Sequence, residues 1–336
     1  MEHPEFVQVI VSWYQKNKRN LPWRAVKSAY YIWLSEVLLQ QTRVNQGLPY
    51  YLKFINEFPN ITSMANASED KILRLWQGLG YYSRARNMHA TAKFIVNELN
   101  GVFPDSYKEI VKLKGVGEYT AAAVASFAFG EKVAVLDGNV FRVLSRVFGI
   151  EENIAGSKGK KQFQALASSL LPDQHSDTYN QAIMEFGALQ CTPAKPDCIS
   201  CPCAHFCYAR IHKKQDSLPV KIKNTTKRLR LFNYSVITFG NKILMSKREG
   251  KDIWAGLYQF PLKEVPVLTE GSSAGQYRHI LSHQIIEAYF ERQEADSEAQ
   301  LQDIASQTGS TIYTIEEVEN LPKPVLINNY LKEYFF

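Results

Sequence analysis

The stretch LKGVGEYTAAAVASFAFG, residues 113–130, decides the reading of the first two-thirds of the chain. It follows SYKEIVKL (residues 106–113), so the pattern predicts a helix, a tight glycine hairpin and a second, alanine-rich helix. Gly115 and Gly117 can take positive φ and leave backbone N–H groups uncovered. Amides at the start of the following helix form a natural site for a phosphate. A Gly-x-Gly pair alone is more often only a turn. Between two helices in a basic region it becomes a candidate nucleic-acid contact.

Twenty residues beyond Gly117, VAVLDGNVFRVLSR (residues 133–146) places Asp137 immediately before another helix. An N-cap alone accounts for an aspartate there, and the helix dipole favours its ionised form near neutral pH. Upstream, SAYYIWLSEVLLQQT (residues 28–42) reads as an apolar helix with Glu36 inside it, Trp33 three residues before and Gln40 four after. If that face points inward, desolvation raises the pKa of Glu36 and suits it to general-acid work. The alternative is a glutamate at the edge of an exposed face. One carboxyl held protonated and another held ionised is the division of labour that glycosidic cleavage requires.

The chain has 336 residues, with 45% hydrophobic and 21% charged residues. Composition therefore excludes disordered and collagen-like classes and predicts about two domains. No apolar run approaches the roughly 18 residues of a membrane helix, and the acidic MEHPEFVQVI start does not resemble a secretory signal. The expectation is a soluble, cytoplasmic protein with no membrane partner. Residues 1–230 hold 30 Lys+Arg against 19 Asp+Glu, and residues 231–336 hold 9 against 14. A polyanion partner is thus expected for the first part only, unless the lysines merely solvate a face.

Helical spacing recurs at EDKILRLWQGL (residues 69–79) and QALASSLLP (residues 164–172). Four cysteines, Cys191, Cys198, Cys201 and Cys207, are separated by six, two and five residues, with Cys203 inside the last interval. In a cytosolic chain such a cluster is a metal site rather than a disulfide framework. From spacing alone, zinc and an iron–sulfur cubane both remain open. A basic segment, residues 213–228, with Lys213, Lys214, Lys221, Lys223 and Lys227, reads as a linker. Beyond it, LFNYSVITF, NKILMSKR, YQF and EAYFER read as strands, and NNYLKEYF as a closing helix. The expected division is 1–212, 213–228 and 229–336, an all-α domain joined to an α/β one.

These residues together resemble the helix-hairpin-helix DNA glycosylases of the endonuclease III superfamily. LPWR (21–24), WLSEVLLQQTRV (33–44), QGLGYYSRARNMH (77–89) and NQAIMEFGALQCTPAKPDCISCP (180–202) narrow the resemblance to the adenine DNA glycosylase (MutY) family. The resemblance implies a [4Fe-4S] cluster in the 191–207 loop, held by Cys191, Cys198, Cys201 and Cys207. It implies removal of adenine mispaired with 8-oxoguanine or guanine in duplex DNA, initiating base excision repair. Glu36 matches the acid that protonates adenine N7, and Asp137 the carboxylate that stabilises the sugar cation. Tyr119 matches a tyrosine supporting that carboxylate chemistry, and Asn139 an asparagine beside it. Gln41 and Tyr81 match residues that wedge the stack around the extruded base, Leu39 a minor-groove contact and Arg24 an adenine-pocket residue. Flipping is required because a stacked base is out of reach of these groups. Ser83, Arg84 and Arg86 are expected on the DNA backbone. Bifunctional relatives carry a lysine two residues after the second hairpin glycine. Tyr119 stands there, so a monofunctional enzyme with little AP-lyase activity is expected.

In the tail, KDIWAGLYQFP (251–261) and RHILSHQIIEAYF (278–290) resemble the family's Nudix-like (MutT-like) domain, without the metal-binding Nudix box. A Phe-Ser-His loop meets 8-oxoguanine in the family. Here it reads Leu281-Ser282-His283, so Ser282 and His283 match and Leu281 departs. A monomer associated with the bacterial nucleoid is the expected working form. Competing readings are a thymine- or lesion-pyrimidine glycosylase, a non-catalytic cluster-bearing DNA-binding protein, and a Nudix hydrolase with a DNA-binding appendage.

Overall fold

The computed structural model describes residues 3–222, 227–263 and 275–336. Lys223, expected in the linker, lies outside them. The chain divides into two compact units, residues 1–43 with 94–223 and residues 44–93 with 224–336. No helix among the described residues is long and apolar enough to cross a membrane.

The first unit is helical throughout. Its core gathers Phe6, Ile10, Val143, Leu144, Phe163, Ile183 and Phe186 from the helices His3–Asn17, Gly138–Phe148, Ser157–Ser169 and Ser176–Leu189. The last of these approaches Gly138–Phe148 so closely that a Cβ on Gly187 would stand 2.7 Å from Asn139 Cβ, so only glycine permits the approach. Helix Ala29–Leu39 buries every residue from Ile32 to Leu38, which explains its nearly continuous apolar sequence. The hairpin forms as expected, although its first helix is a single turn, Tyr107–Ile110. Gly115 takes φ +76°. Gly117 does not share it. It caps helix Glu118–Phe129 with φ −92°, open to any residue, and a Cβ there would meet nothing within 4 Å. Its small size leaves space outside the amides rather than supplying a left-handed turn.

The second unit contains helices Val44–Glu57, Glu69–Trp76 and Ser83–Glu98 up to residue 93, together with a mixed sheet. Strands β1 (Arg228–Phe239), β2 (Lys242–Lys247), β3 (Tyr258–Gln259), β4 (Gly275–Ile280), β5 (Gln284–Glu294) and β6 (Thr311–Thr314) run in the order β3-β2-β1-β5-β4, with β6 on β2. Only β1 and β5 are parallel, paired from Arg228↔Gln284 to Thr238↔Glu294. Central β1 is covered on both faces along its middle, so Val236 and Ile237 are both buried and strict alternation is lost. Tyr330, on helix Val325–Tyr334, stacks on Phe290 at 4.1 Å, and Phe290 on Tyr234 at 5.1 Å. That aromatic column anchors the closing helix to the sheet. Leu281-Ser282-His283 forms the turn between β4 and β5, with Ser282 and His283 exposed.

Candidate active site and its supports

Glu36 is only 6% exposed, and the Tyr119 hydroxyl donates to its Oε2 at 2.5 Å. Burial pushes the Glu36 pKa up to about 7, and the charge of Asp137 pushes the same way. The Tyr119 hydrogen bond and the Arg24 charge act in opposition. Desolvation of the charged form is the dominant cause. Tyr119 therefore supports Glu36 directly, with the charge of Asp137 also acting on it. With Oε2 committed as acceptor, the carboxyl proton belongs on Oε1.

Asp137 is the N-cap of helix Gly138–Phe148, accepting from Val140 N–H at 2.7 Å through Oδ1. Its Oδ2 accepts from Asn139 Nδ2 at 2.6 Å. One oxygen thus caps the helix and the other meets Asn139. The dipole does not dominate its titration. Burial raises the Asp137 pKa, against the lowering effects of Val140, Asn139 and Arg142.

Three supports around this pair escaped the sequence reading. Glu185, 1% exposed, takes bidentate contacts from both Arg19 and Arg24, with Arg24 Nη2 at 2.8 Å from Oε2. Those guanidinium groups hold its pKa down at about 2 despite burial. Gln40 Nε2 donates to Thr120 Oγ1 at 3.1 Å, tying helix Ala29–Leu39 to the hairpin's second helix. Arg142 donates to Asn139 Oδ1 at 2.8 Å, to Gly187 O at 2.7 Å and to Cys191 O at 2.7 Å, which joins the capping pair to the cysteine loop. A glutamate inside the apolar run NQAIMEFGAL and an arginine on the buried face of VFRVLSR were the available signals.

In the cysteine loop, Arg146 Nη1 lies 3.5 Å from Cys191 Sγ, and Cys207 Sγ lies 3.5 Å from Arg146 O. Cys203 is fully buried and packs in the helical core, and its hydrogen bond pulls the Cys201 thiol down to about 7. The Tyr179 hydroxyl, buried in the same core, has no partner among the described residues. Among the described residues no group of three or more His, Cys, Asp or Glu is arranged to hold a metal ion.

Residues 34–172 match the model of the HhH-GPD superfamily base excision DNA repair protein family. The chain is 37% identical over 299 residues to an adenine DNA glycosylase of Buchnera aphidicola, covering 83% of each chain. The chain belongs to the adenine DNA glycosylase family. The human adenine DNA glycosylase is 41% identical over 218 residues, which span 62% of this chain and 40% of the human one. Among solved structures, a thermostable thymine-DNA glycosylase superposes with a TM-score of 0.58 at 30% identity, covering 62% of this chain and 97% of its own. Endonuclease III in a non-covalent DNA complex superposes with a TM-score of 0.55 at 18% identity, a likeness of fold, over 64% of this chain and 99% of its own.

The remaining residues expected from the family pattern sit as follows. Leu39 ends its helix half-buried, and Gln41 is exposed with φ +56°. Tyr81 is 39% exposed at φ +48°, and its hydroxyl meets Ser282 Oγ. Ser83 is exposed. Arg84 and Arg86 are engaged within their own unit. Arg84 lies 4.8 Å over the Trp76 ring and donates to Gly80 O at 3.3 Å, and Arg86 Nη1 donates to Ala255 O at 2.5 Å. Burial lowers the Arg84 pKa to about 10. The basic segment is also partly committed. Lys214 pairs with Glu151, Ile154 N–H donates to Val220 O at 3.0 Å, and Arg228 already belongs to β1.

Proposed function

We propose that this protein is a monofunctional DNA glycosylase that removes adenine mispaired with 8-oxoguanine or guanine from duplex DNA. One arrangement carries the reading: a buried carboxyl whose pKa burial raises to about 7, hydrogen-bonded by Tyr119, in the same unit as a second carboxylate held by Asn139 and a helix N-terminus. Glu36 gives its Oε1 proton to adenine N7. The C1′–N9 bond then breaks, its electron pair leaves with the base, and neutral adenine departs. Asp137, acceptor-only when ionised, stabilises the positive charge left on the sugar. Water adds to C1′, and its released proton returns to the Glu36 carboxylate. Tyr119 stands where an amine nucleophile would be needed for a Schiff base, so the product is an intact abasic strand.

Gly115 and Gly117 present the hairpin amides to a DNA phosphate, helped by the open space at Gly117. Arg24 fills the adenine side, where Glu185 fixes its guanidinium, and Leu39, Gln41 and Tyr81 contact or wedge the duplex. Ser83, Arg84 and Arg86 border the wedge. Residues 229–336 form a Nudix-like module in which Ser282 and His283 read the lesion, and 1–212 the glycosylase domain. Cys191, Cys198, Cys201 and Cys207 hold a [4Fe-4S] cluster. The soft cysteine sulfurs, the Arg146 donor beside Cys191 Sγ and the Tyr179 hydroxyl, without a partner among the described residues, suit a sulfur-rich group. When bound, that group cross-links the loop by iron–thiolate bonds. The protein acts as a monomer in the bacterial cytoplasm.

The test is adenine release from duplexes carrying A opposite 8-oxoguanine, G, C or T. Release from the first two is expected, with the 8-oxoguanine preference diminished when Ser282 and His283 are both alanine. Equal release from all four duplexes refutes the specificity. Trapping by borohydride on substrate DNA refutes the monofunctional assignment.

A further inference from the structure

Lys323 is the only lysine among the described residues that is completely buried. Its ammonium donates to three backbone carbonyls, Val318 O, Glu319 O at 3.2 Å and Leu321 O at 2.9 Å. These lie at and just beyond the end of helix Ile315–Asn320, where carbonyls lack intrahelical partners. The three N–H groups of one ammonium are thereby used up. Burial works against the charge and pulls the Lys323 pKa down to about 7. A methionine would fill the same space without that cost, so the lysine is informative about what the segment must hold still.

What it holds is a second set of contacts made by its own backbone. Lys323 N–H donates to Gln77 Oε1 at 3.3 Å, and Lys323 O accepts from the Tyr82 hydroxyl at 3.4 Å. Gln77 and Tyr82 bracket the loop Gly78-Leu79-Gly80-Tyr81. Within that loop Gly78, Gly80 and Tyr81 all take positive φ, at +103°, +71° and +48°. Tyrosine pays conformational strain in that region, so the loop needs external restraint. Nearby residues anchor it as well. Tyr50 hydroxyl donates to Gln77 O at 2.9 Å, Arg74 to Gln77 Oε1 at 3.0 Å, and Trp76 Nε1 to Gly80 O at 2.9 Å. Arg84 Nη2 grips the middle, at Leu79 O (3.4 Å) and Gly80 O (3.3 Å), whereas Lys323 holds both bracketing residues, Gln77 and Tyr82, from a segment remote in sequence.

We propose that Lys323 is a positioning residue for DNA engagement: its ammonium knots the 318–323 segment, whose backbone clasps both ends of the loop that presents Tyr81. This rests on the proposed wedge role of Tyr81. Without the knot, the peptide groups of Lys323 wander, the loop relaxes from its left-handed conformation, and Tyr81 is presented less often in the geometry that enters the stack. Adenine chemistry, carried by Glu36 and Asp137, is untouched once DNA is bound.

The experiment uses the full-length, cluster-loaded protein and a duplex with 2-aminopurine beside an 8-oxoguanine·A mispair, whose fluorescence rises when the stack is opened. Lys323→Met is expected to weaken duplex affinity about tenfold, the scale of losing one good buried hydrogen-bond set. It should also reduce the fluorescence rise, while the single-turnover excision rate at saturating protein stays within about threefold of wild type. Tyr82→Phe deletes one hydroxyl with little threat to folding. It should weaken affinity in the same direction, and the two changes together should be less than additive. Wild-type affinity and fluorescence in Lys323→Met, or in Tyr82→Phe should the former not fold, overturn the clasp. Tyr81→Ala separates the two ideas. If it leaves the fluorescence rise intact, the wedge reading itself fails. If it abolishes the rise while the Lys323 and Tyr82 variants keep it, only the clasp fails.

Discussion

Glu36 should leave a mark on stability as well as on activity. Its carboxyl titrates at about 7 in the folded protein against 4.5 for an unperturbed glutamate. That difference corresponds to about 3 kcal/mol, an upper value because buried groups relax. The folded state binds the extra proton, so the sign is fixed. The contribution is fully favourable below pH 4.5 and is lost progressively as pH rises to about 7. Above pH 7 that advantage is gone, and wild type stands about 3 kcal/mol below a variant whose residue 36 stays neutral. Glu36→Gln keeps the shape and an acceptor for the Tyr119 hydroxyl but cannot ionise. At pH 5 the variant and wild type should unfold at nearly the same urea concentration. At pH 8 the variant should be more stable by up to about 3 kcal/mol, although it excises adenine at least about a hundredfold more slowly. A stability difference that does not vary between pH 5 and 8 would refute the desolvated-acid account.

Other consequences follow from the same contacts. Tyr119→Phe removes the hydrogen bond that holds the Glu36 pKa down, so the alkaline limb of the single-turnover pH–rate profile should move upward. Glu185→Gln leaves Arg19 and Arg24 without their shared carboxylate and should cost about 3 kcal/mol in urea unfolding at pH 7. Because the Glu185 pKa is held at about 2, this contribution is present above pH 4.5 and fades as pH falls toward 2, where variant and wild type should converge. Gly117→Ala should change stability by less than about 0.5 kcal/mol, since its φ is ordinary and its Cβ meets nothing, yet weaken duplex binding if a phosphate approaches there. Gly115→Ala, at φ +76°, should instead cost about 1 kcal/mol of stability.

Local chemistry made much of this site readable in the sequence. Glu36 stood out because a charged residue in an apolar helix must be paired, neutral or functional, and Asp137 because aspartate before a helix is a strong cap. The strands and closing helix followed from composition and spacing. Contacts between distant segments were not readable. Nothing in the local sequence joins Glu185 to Arg19 and Arg24, Arg142 to Cys191, or Lys323 to Gln77, because each bond depends on how separate elements pack. The two hairpin glycines were indistinguishable for a related reason: close together they look alike, but only Gly115 turns the chain. The sign of the Asp137 shift was also hidden, because a dipole argument counts the helix and omits the burial that the rest of the unit imposes.

The most direct measurement is single-turnover release of adenine from an 8-oxoguanine·A duplex between pH 5 and 9, comparing wild type with Glu36→Gln. The account predicts a wild-type rate that declines about tenfold per unit above about pH 7, and a variant that is slow and lacks this limb. Adenine release by Glu36→Gln at the wild-type rate, or no release by the cluster-loaded wild type at any pH, would contradict it.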